Sequence, residues 1–305
     1  MTNVSIYKDI AARTGGDIYI GVVGPVRTGK STFIKQFMDK LVLPNISEEY
    51  QKERANDEIP QSSSGRTIMT TEPKFIPEKG VQINIDNSSA MNVRLIDCVG
   101  YIVPSALGYI EGDQPRMVMT PWFEEPIPFN MAAEIGTRKV INEHSTIGLV
   151  ITTDGSISDI PRSEYEEAEE RVIEELKGIN KPFIILLNCM YPESEESTAL
   201  AARLTEKYGV PVQPINCLEL DEEGIKKILS RILFEFPIKE ICINFPRWIN
   251  SLPLEHWLRT DLTETIKKSA ECMHHIRDIN CFETAFNDSK NVDGVSVESI
   301  DLGSG

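Results

Sequence analysis

The chain is short of basic residues: 31 Lys and Arg stand against 47 Asp and Glu among 305 residues, a formal charge of −16. An average surface of that sign repels a phosphate backbone, so nucleic acid is not an expected partner. It equally disfavours broad adhesion to anionic lipid, leaving a local element or an adaptor as the route to a membrane. No apolar run approaches the roughly 20 residues that span a bilayer. The N-terminal MTNVSIYKDIAARTGGDIYIG has no basic stretch followed by an apolar one, so the chain as written reads as cytoplasmic. Cysteine is sparse and unpatterned: Cys98, Cys189, Cys217, Cys242, Cys272 and Cys281 include no C-x-x-C, and the first four lie in or beside apolar runs. That usage suits buried reduced thiols better than a disulfide framework. Cys272, His274, His275 and Cys281 are close in sequence, but their spacing matches no standard zinc ribbon or finger. Internal repeats and low-complexity tracts are also missing.

What is present is an alternation. Short, β-branched-rich apolar runs recur at Asp17–Val23, Val93–Ile96, Ile147–Ile151, Phe183–Leu187 and Val210–Ile215, without clean polar alternation. Such runs read as strands buried on both faces of a parallel sheet. Helical patterns lie between several of them, at Ser31–Leu43, Ser163–Lys177, Glu195–Tyr208 and Glu222–Phe236. The expected fold is therefore α/β, a mostly parallel sheet with helices on both faces. Length alone, at about 100–200 residues per domain, suggests two domains. The first is expected over residues 1–237. Past it, INFPRWINSLPLEHWL changes the pattern and carries Trp248 and Trp257, so residues 238–305 read as the beginning of a truncated α+β domain. Its last stretch, NVDGVSVESIDLGSG, looks like one strand and a turn. Two long connections, from Pro44 to about Pro73 and from Val99 to about Ala132, read as functional loops. In the second, Trp122, Phe123 and Phe129 form either a partner surface or a small core of the loop's own. The acidic run from Tyr165 to Leu176 reads as a solvated helix face, with Ala168, Val172 and Leu176 at apolar spacing.

Gly24-Pro-Val-Arg-Thr-Gly-Lys-Ser31 matches G-x-x-x-x-G-K-[ST] between an apolar run and a helical segment, the context a phosphate loop requires. Glycines let the backbone curl so that N–H groups and a helix N-terminus surround phosphates. The candidate nucleotide contacts are Gly24, Pro25, Val26, Arg27, Thr28, Gly29, Lys30, Ser31 and Thr32. Lys30 would neutralise β/γ charge, and the Ser31 hydroxyl would ligate Mg²⁺. Downstream, Leu95-Ile-Asp97-Cys-Val-Gly100 ends a strand in an Asp placed to hold Mg²⁺ through water, and the Gly100 amide can reach a γ-phosphate. Between these lies Gly65-Arg-Thr-Ile-Met-Thr-Thr-Glu-Pro73, where Thr70 or Thr71 supplies a hydroxyl and carbonyl to Mg²⁺ and the γ-phosphate. Arg27 is either an arginine finger supplied in cis or a salt-bridge partner. Tyr101 follows Gly100, where regulated GTPases often carry a water-orienting Gln, so hydrolysis needs another group.

The base-reading position departs from the GTPase pattern. The apolar run Phe183–Leu187 ends in Asn188-Cys-Met-Tyr191, keeping Asn188 while the Lys and Asp of Asn-Lys-x-Asp are gone. Guanine's two donors would then find no carboxylate, and leaving buried polar groups unpaired costs about 1–3 kcal/mol. ATP is therefore expected over GTP.

Taken together, GPVRTGKSTFIKQFM, TIMTTEP, LIDCVGY, PWFEEPIPFNMAAEIGTRKVI and DGSISDIPRSEYEEAEERVI resemble the stage IV sporulation protein A family of endospore-forming Firmicutes, over essentially the whole chain. The resemblance implies a P-loop NTPase of the translation-factor-type (TRAFAC) GTPase layout that hydrolyses ATP with Mg²⁺. It further implies self-assembly into a static polymer, the basement layer of the spore coat, on the outer forespore membrane facing the mother-cell cytoplasm. Expected partners are other copies of itself, the small amphipathic membrane peptide SpoVM, and other coat and cortex proteins. Family members are longer, and membrane contact is expected to be indirect or through their C-terminal region. The family's phosphate loop maps onto Gly24, Gly29, Lys30, Ser31 and Thr32, its sensor threonines onto Thr70 and Thr71, and its Mg²⁺-associated acid onto Asp97.

Lys30→Ala is expected to abolish nucleotide binding in equilibrium dialysis. Thr70→Ala combined with Thr71→Ala is expected to keep binding but stop phosphate release; full turnover by that double variant would remove the sensor assignment.

Overall fold

A computed structural model describes residues 6–60, 73–86, 89–111, 114–179, 181–287 and 291–305. Strands β1 (Asp17–Val23), β2 (Lys74–Asp86), β3 (Ser89–Asp97), β8 (Ile147–Thr153), β9 (Phe183–Asn188) and β10 (Val212–Ile215) form one sheet in the order β10-β9-β8-β1-β3-β2. Every neighbour pair is parallel except β2 with β3. The parallel strands are apolar on both faces because both faces are covered. Ile18, Ile20, Val22, Leu149, Ile184 and Leu186 join one core with α1 (Ile6–Thr14), α2 (Lys30–Phe37) and α7 (Glu222–Leu233). Val23, Val150, Phe183, Ile185 and Leu187 join the other with α4 (Phe129–Lys139), α5 (Glu166–Gly178) and α6 (Glu195–Tyr208). Side chains one residue apart along β8 and β9 thus serve opposite layers, as a strand's period of two demands. Ser194 and Asp221 cap α6 and α7 by accepting the N–H groups of Ser197 and Gly224.

Several expectations are corrected. Among the described residues, the connections around residues 44–73 and 99–132 are not structureless: the first contains α3 (Glu49–Asp57), and the second the antiparallel pairs β4 (Ile110–Glu111) with β5 (Gln114–Pro115) and β6 (Met117–Thr120) with β7 (Phe123–Pro128). Phe129 is fully buried at the start of α4, whereas Phe123 stays exposed, so the aromatic cluster is divided between core and surface. The expected α+β second domain shows no strand among its described residues. It carries α8 (Trp257–Glu271) and α9 (Asn280–Asn287) over a small core of Ile249, Leu262, Met273 and Phe286, and residues 294–300 form neither helix nor strand. Cys242 is exposed, while Cys98, Cys189 and Cys217 are buried.

The acidic helix α5 is not wholly solvated. Glu169 is fully buried and accepts from Arg162 Nη1 and Nη2 at 2.6 and 2.7 Å, from Tyr208 Oη at 2.8 Å, and from the Thr152 hydroxyl. A bidentate guanidinium with two further hydroxyls satisfies a carboxylate's lone pairs, which is what allows the charge inside. This network ties the end of β8 to α5 and α6.

Residues 234–238 form the seam with the following region. Ile276 and Arg277 donate their N–H groups to Phe236 O and Phe234 O, and Ile238 donates to His274 O. Glu235 is buried there, with Oε2 at 3.0 Å from Arg277 Nη1 and Oε1 without a hydrogen-bond partner. Burial pushes its carboxyl from 4.5 up to about 7, with Arg277 opposing. Between those two values the folded state holds more protons than the unfolded one, so the group's contribution to stability is full below 4.5 and lost as pH rises through about 7. Urea titrations should show the stability of the parent relative to Glu235→Gln falling over that window and level above it.

Candidate functional site

All parallel strands end on the same edge of the sheet, and the chain leaves β1 for α2 between the neighbours β3 and β8. This is the switch point where α/β sheets bind ligands. The loop Gly24–Gly29 turns there through positive φ at Gly24 (135°), Arg27 (64°) and Gly29 (94°). Two of these positions have no room for a side chain: a Cβ at Gly24 would lie 2.2 Å from Ile151 O, and one at Gly29 would lie 2.3 Å from Asn188 Nδ2. Gly29 is also the N-cap of α2 and offers no side-chain cap, so the first-turn N–H groups of α2 face the loop as an anion site.

Lys30, Ser31 and Asp97 converge at that helix start. Lys30 is buried, and its Nζ donates to Pro25 O at 2.6 Å and Gly24 O at 3.4 Å. Burial lowers its pKa to about 8, with Asp97 the main opposing influence. Asp97 pairs in register with Val22 and accepts the Ser31 hydroxyl at 2.7 Å. Burial raises its pKa, and Ser31 and Lys30 oppose the rise. A hydroxyl and a carboxylate in contact beside a phosphate loop are the donor set that fits Mg²⁺. Thr32 follows on the first turn, half-buried.

Gly100 lies against the loop: with φ 91°, a Cβ there would stand 2.3 Å from Gly24 O and 2.6 Å from Lys30 Nζ. The next residue latches the two segments together, because Val26 N–H donates to Tyr101 O at 2.9 Å and Tyr101 N–H to Gly24 O at 3.3 Å. The Tyr101 side chain is buried. Its hydroxyl donates to Glu175 at 2.5 Å, and Glu175 in turn accepts from Arg138 at 3.1 Å. Sequence reading noted the missing Gln but not this inward anchor; a large aromatic after Asp-x-x-Gly was the only signal available.

Asn188 sits beneath the loop. Its Nδ2 donates to Thr28 O and its Oδ1 accepts from Cys217 N–H, both at 3.0 Å, so its carboxamide fastens the loops after β9 and β10 to the phosphate loop. Thr28 is fully buried and donates its hydroxyl to Pro25 O, while Val26 packs in the core. The Arg27 side chain is half-buried, its pKa lowered by burial and opposed by Tyr165. Tyr165 meets the Ser158 hydroxyl at 2.9 Å, which sets the loop after β8 beside Arg27. Thr70 and Thr71 lie outside the described residues. The structure thus brings together the predicted residues from Gly24 to Thr32 with Asp97, Gly100 and Asn188.

Fold and site define a class: an α/β domain that presents a glycine-bearing loop of the G-x-x-x-x-G-K-[ST] pattern, a buried lysine and a serine–aspartate pair at the carboxyl edge of its sheet, consistent with a P-loop-type ATPase domain. Comparison with known proteins narrows it. The model described as "Stage IV sporulation protein A, ATPase domain" matches residues 1–237, and that described as "Stage IV sporulation protein A, middle domain" matches residues 238–305. The chain belongs to the stage IV sporulation protein A family. It is similar to proteins of that name from Clostridioides difficile (52% identical over 99% of this chain), Bacillus subtilis and Bacillus anthracis (each 52% over 100%). The chain spans 62% of the length of each of these relatives.

Gly29→Ala places a methyl group on the Asn188 amide in a backbone conformation that costs an L-residue about 1–2 kcal/mol. Nucleotide affinity is expected to fall by about tenfold or more in isothermal titration, with far-UV circular dichroism unchanged.

Proposed function

We propose that this protein binds ATP with Mg²⁺ at the loop Gly24–Ser31 and hydrolyses it, and that hydrolysis drives its self-assembly into the basement layer of the spore coat. The observation that carries this reading is the meeting of Lys30, Ser31 and Asp97 at the uncapped start of α2, in a chain whose first 237 residues match the family's ATPase domain. The translation-factor-type GTPase layout is supported by the chain order of the phosphate loop, Asp97-x-x-Gly100 after β3, and Asn188 at the end of β9. Preference for ATP is supported by Cys189, Met190 and Tyr191, which put no carboxylate after Asn188.

The chain's own groups divide the work. The α2 N–H groups and Lys30 receive the phosphates, and the buried ammonium gains the anionic neighbour that burial otherwise denies it. Ser31, and Asp97 through water, would hold Mg²⁺, with Thr70 and Thr71 as further ligands; the ion would supply neutralisation of phosphate charge. Gly100 offers its amide to the γ-phosphate. Because the Tyr101 hydroxyl is held by Glu175, Thr70, Thr71 and Arg27 remain to serve hydrolysis. Assembly places the protein on the forespore surface within the mother-cell cytoplasm, with SpoVM and other coat and cortex proteins as partners. Membrane contact is indirect or made by the part of the family's length beyond this chain. No helix among the described residues is long and apolar enough to cross a membrane.

Light scattering of the full-length protein with no nucleotide, ATP, GTP or a non-hydrolysable ATP analogue tests the reading. Growth of scattering with ATP alone is expected. Equal assembly without nucleotide would mark a structural scaffold with a vestigial site. GTP bound tenfold more tightly than ATP, about 1.4 kcal/mol, would mark a guanine switch.

A further inference from the structure

The connection that leaves Gly100 returns to the sheet through the β6–β7 hairpin, which has one buried face and one bare face. Val118 and Thr120 are buried, while Met117 is 54% and Met119 62% exposed on the alternate face of β6. Phe123 and Met131, in the same stretch, are exposed as well. Single exposed apolar side chains are ordinary, but a concentration of them marks a contact surface, and methionine's unbranched chain adapts to the shape it meets. β7 adds the exposed acids Glu124 and Glu125.

The far edge of the sheet carries an open groove of about 470 Å³ over β10, between α6 and α7. Ala201, Ala202, Val212 and Pro214 line it, together with Glu206 and Arg231. The strand edge at its floor is closed to another strand, because Val212 N–H donates to Thr205 Oγ1 at 3.1 Å and Pro214 has no N–H to give. A groove of small side chains over a blunted edge receives long apolar side chains instead.

Hairpin and groove cannot meet within one chain. Trp122 in the hairpin turn and Pro73 just before β2 stand 3.2 and 3.1 Å from where a Cβ on Gly136 of α4 would lie, which puts the hairpin on the β2 side. β2 and β10 are the two edges of the six-stranded sheet, five strand spacings or roughly 24 Å apart. Their charges nevertheless match. Glu124, Glu125 and Arg231 have no ion pair among the described residues. Glu206 fixes the register, because acids from a hairpin are drawn to Arg231 and away from it.

We propose that the Met117–Met119 face of one copy seats in the β10 groove of a second copy, with Glu124 and Glu125 against Arg231. The proposal rests on the self-assembly reading above and adds the surfaces that carry it. Two different patches at opposite edges make a head-to-tail contact, which repeats from copy to copy instead of closing on itself as a two-fold dimer does.

Sedimentation of the full-length protein with Mg-ATP tests this, using Met117→Asp combined with Met119→Asp for the hairpin and Ala202→Glu for the groove. All three positions are exposed, and unchanged melting curves and ATP affinities verify fold and site. Each variant alone should stay monomeric where the parent assembles. An equal mixture of the two should form one-to-one dimers and stop, since only one intact hairpin and one intact groove remain to meet. Arg231→Glu should raise the protein concentration needed for assembly by about tenfold or more, and adding Glu124→Arg with Glu125→Arg in the same chain should restore it. Assembly of either variant alone as in the parent, a mixture that stays monomeric or grows without limit, or a charge exchange that restores nothing would overturn the contact while leaving self-assembly standing. A parent that fails to assemble with ATP would overturn the self-assembly reading and the contact with it.

Discussion

A single carboxamide holds the site in shape. Asn188 reaches from the end of β9 to Thr28 on one side and Cys217 on the other, and it lies so close to Gly29 that no side chain fits there. Three loops from different strands are thereby fixed to one another before any ligand arrives. Preorganisation of this kind lets a loop of backbone amides bind phosphate without first having to become ordered. The neighbouring latch of Val26 and Tyr101 does the same for the segment that carries Gly100.

The charges beneath the loop are in tension in the bare protein. Burial lowers the pKa of Lys30 and raises that of Asp97, so each ionised form is disfavoured where it stands. Their mutual influence relieves part of this, and the Pro25 and Gly24 carbonyls and the Ser31 hydroxyl relieve more. A polyanion with a divalent cation would satisfy both groups at once, because it brings each the opposite charge in a low-dielectric setting. The same burial that weakens the isolated charges therefore strengthens their response to the right ligand.

How much of this was legible in the sequence follows from the kind of signal involved. The five parallel strands stood out because strands covered on both faces must be apolar throughout, and the phosphate loop stood out because its glycines and lysine have fixed spacing. β2 did not: Pro77-Glu-Lys-Gly80 breaks its alternation where the register against β3 shifts between Ile76 and Val81, a device tolerated on an edge strand. The hairpin of β6 and β7 was hidden by its exposed Met117, Met119 and Phe123, which blur any inside-outside pattern. At the site, Lys30, Ser31 and Asp97 were readable as a motif. The inward turn of Tyr101 was not, since its partner Glu175 lies 74 positions away on a helix that reads as solvated. Glu169 was hidden for the same reason: one acid among many gives no sign that it alone meets Arg162 and Tyr208.

The seam at residues 234–238 changes what the match boundary between residues 237 and 238 means mechanically. Arg13 of α1 donates to Pro237 O at 2.8 Å and to Ser304 O at 3.3 Å, and the Gly305 carbonyl accepts from Lys239 and Glu240. With Phe234 and Phe236 bonded to Arg277 and Ile276, the join is a stiff bracket fastened from both sides. A torque applied to α8 would act on the end of α7 and on α1, two helices that share the core behind the phosphate loop.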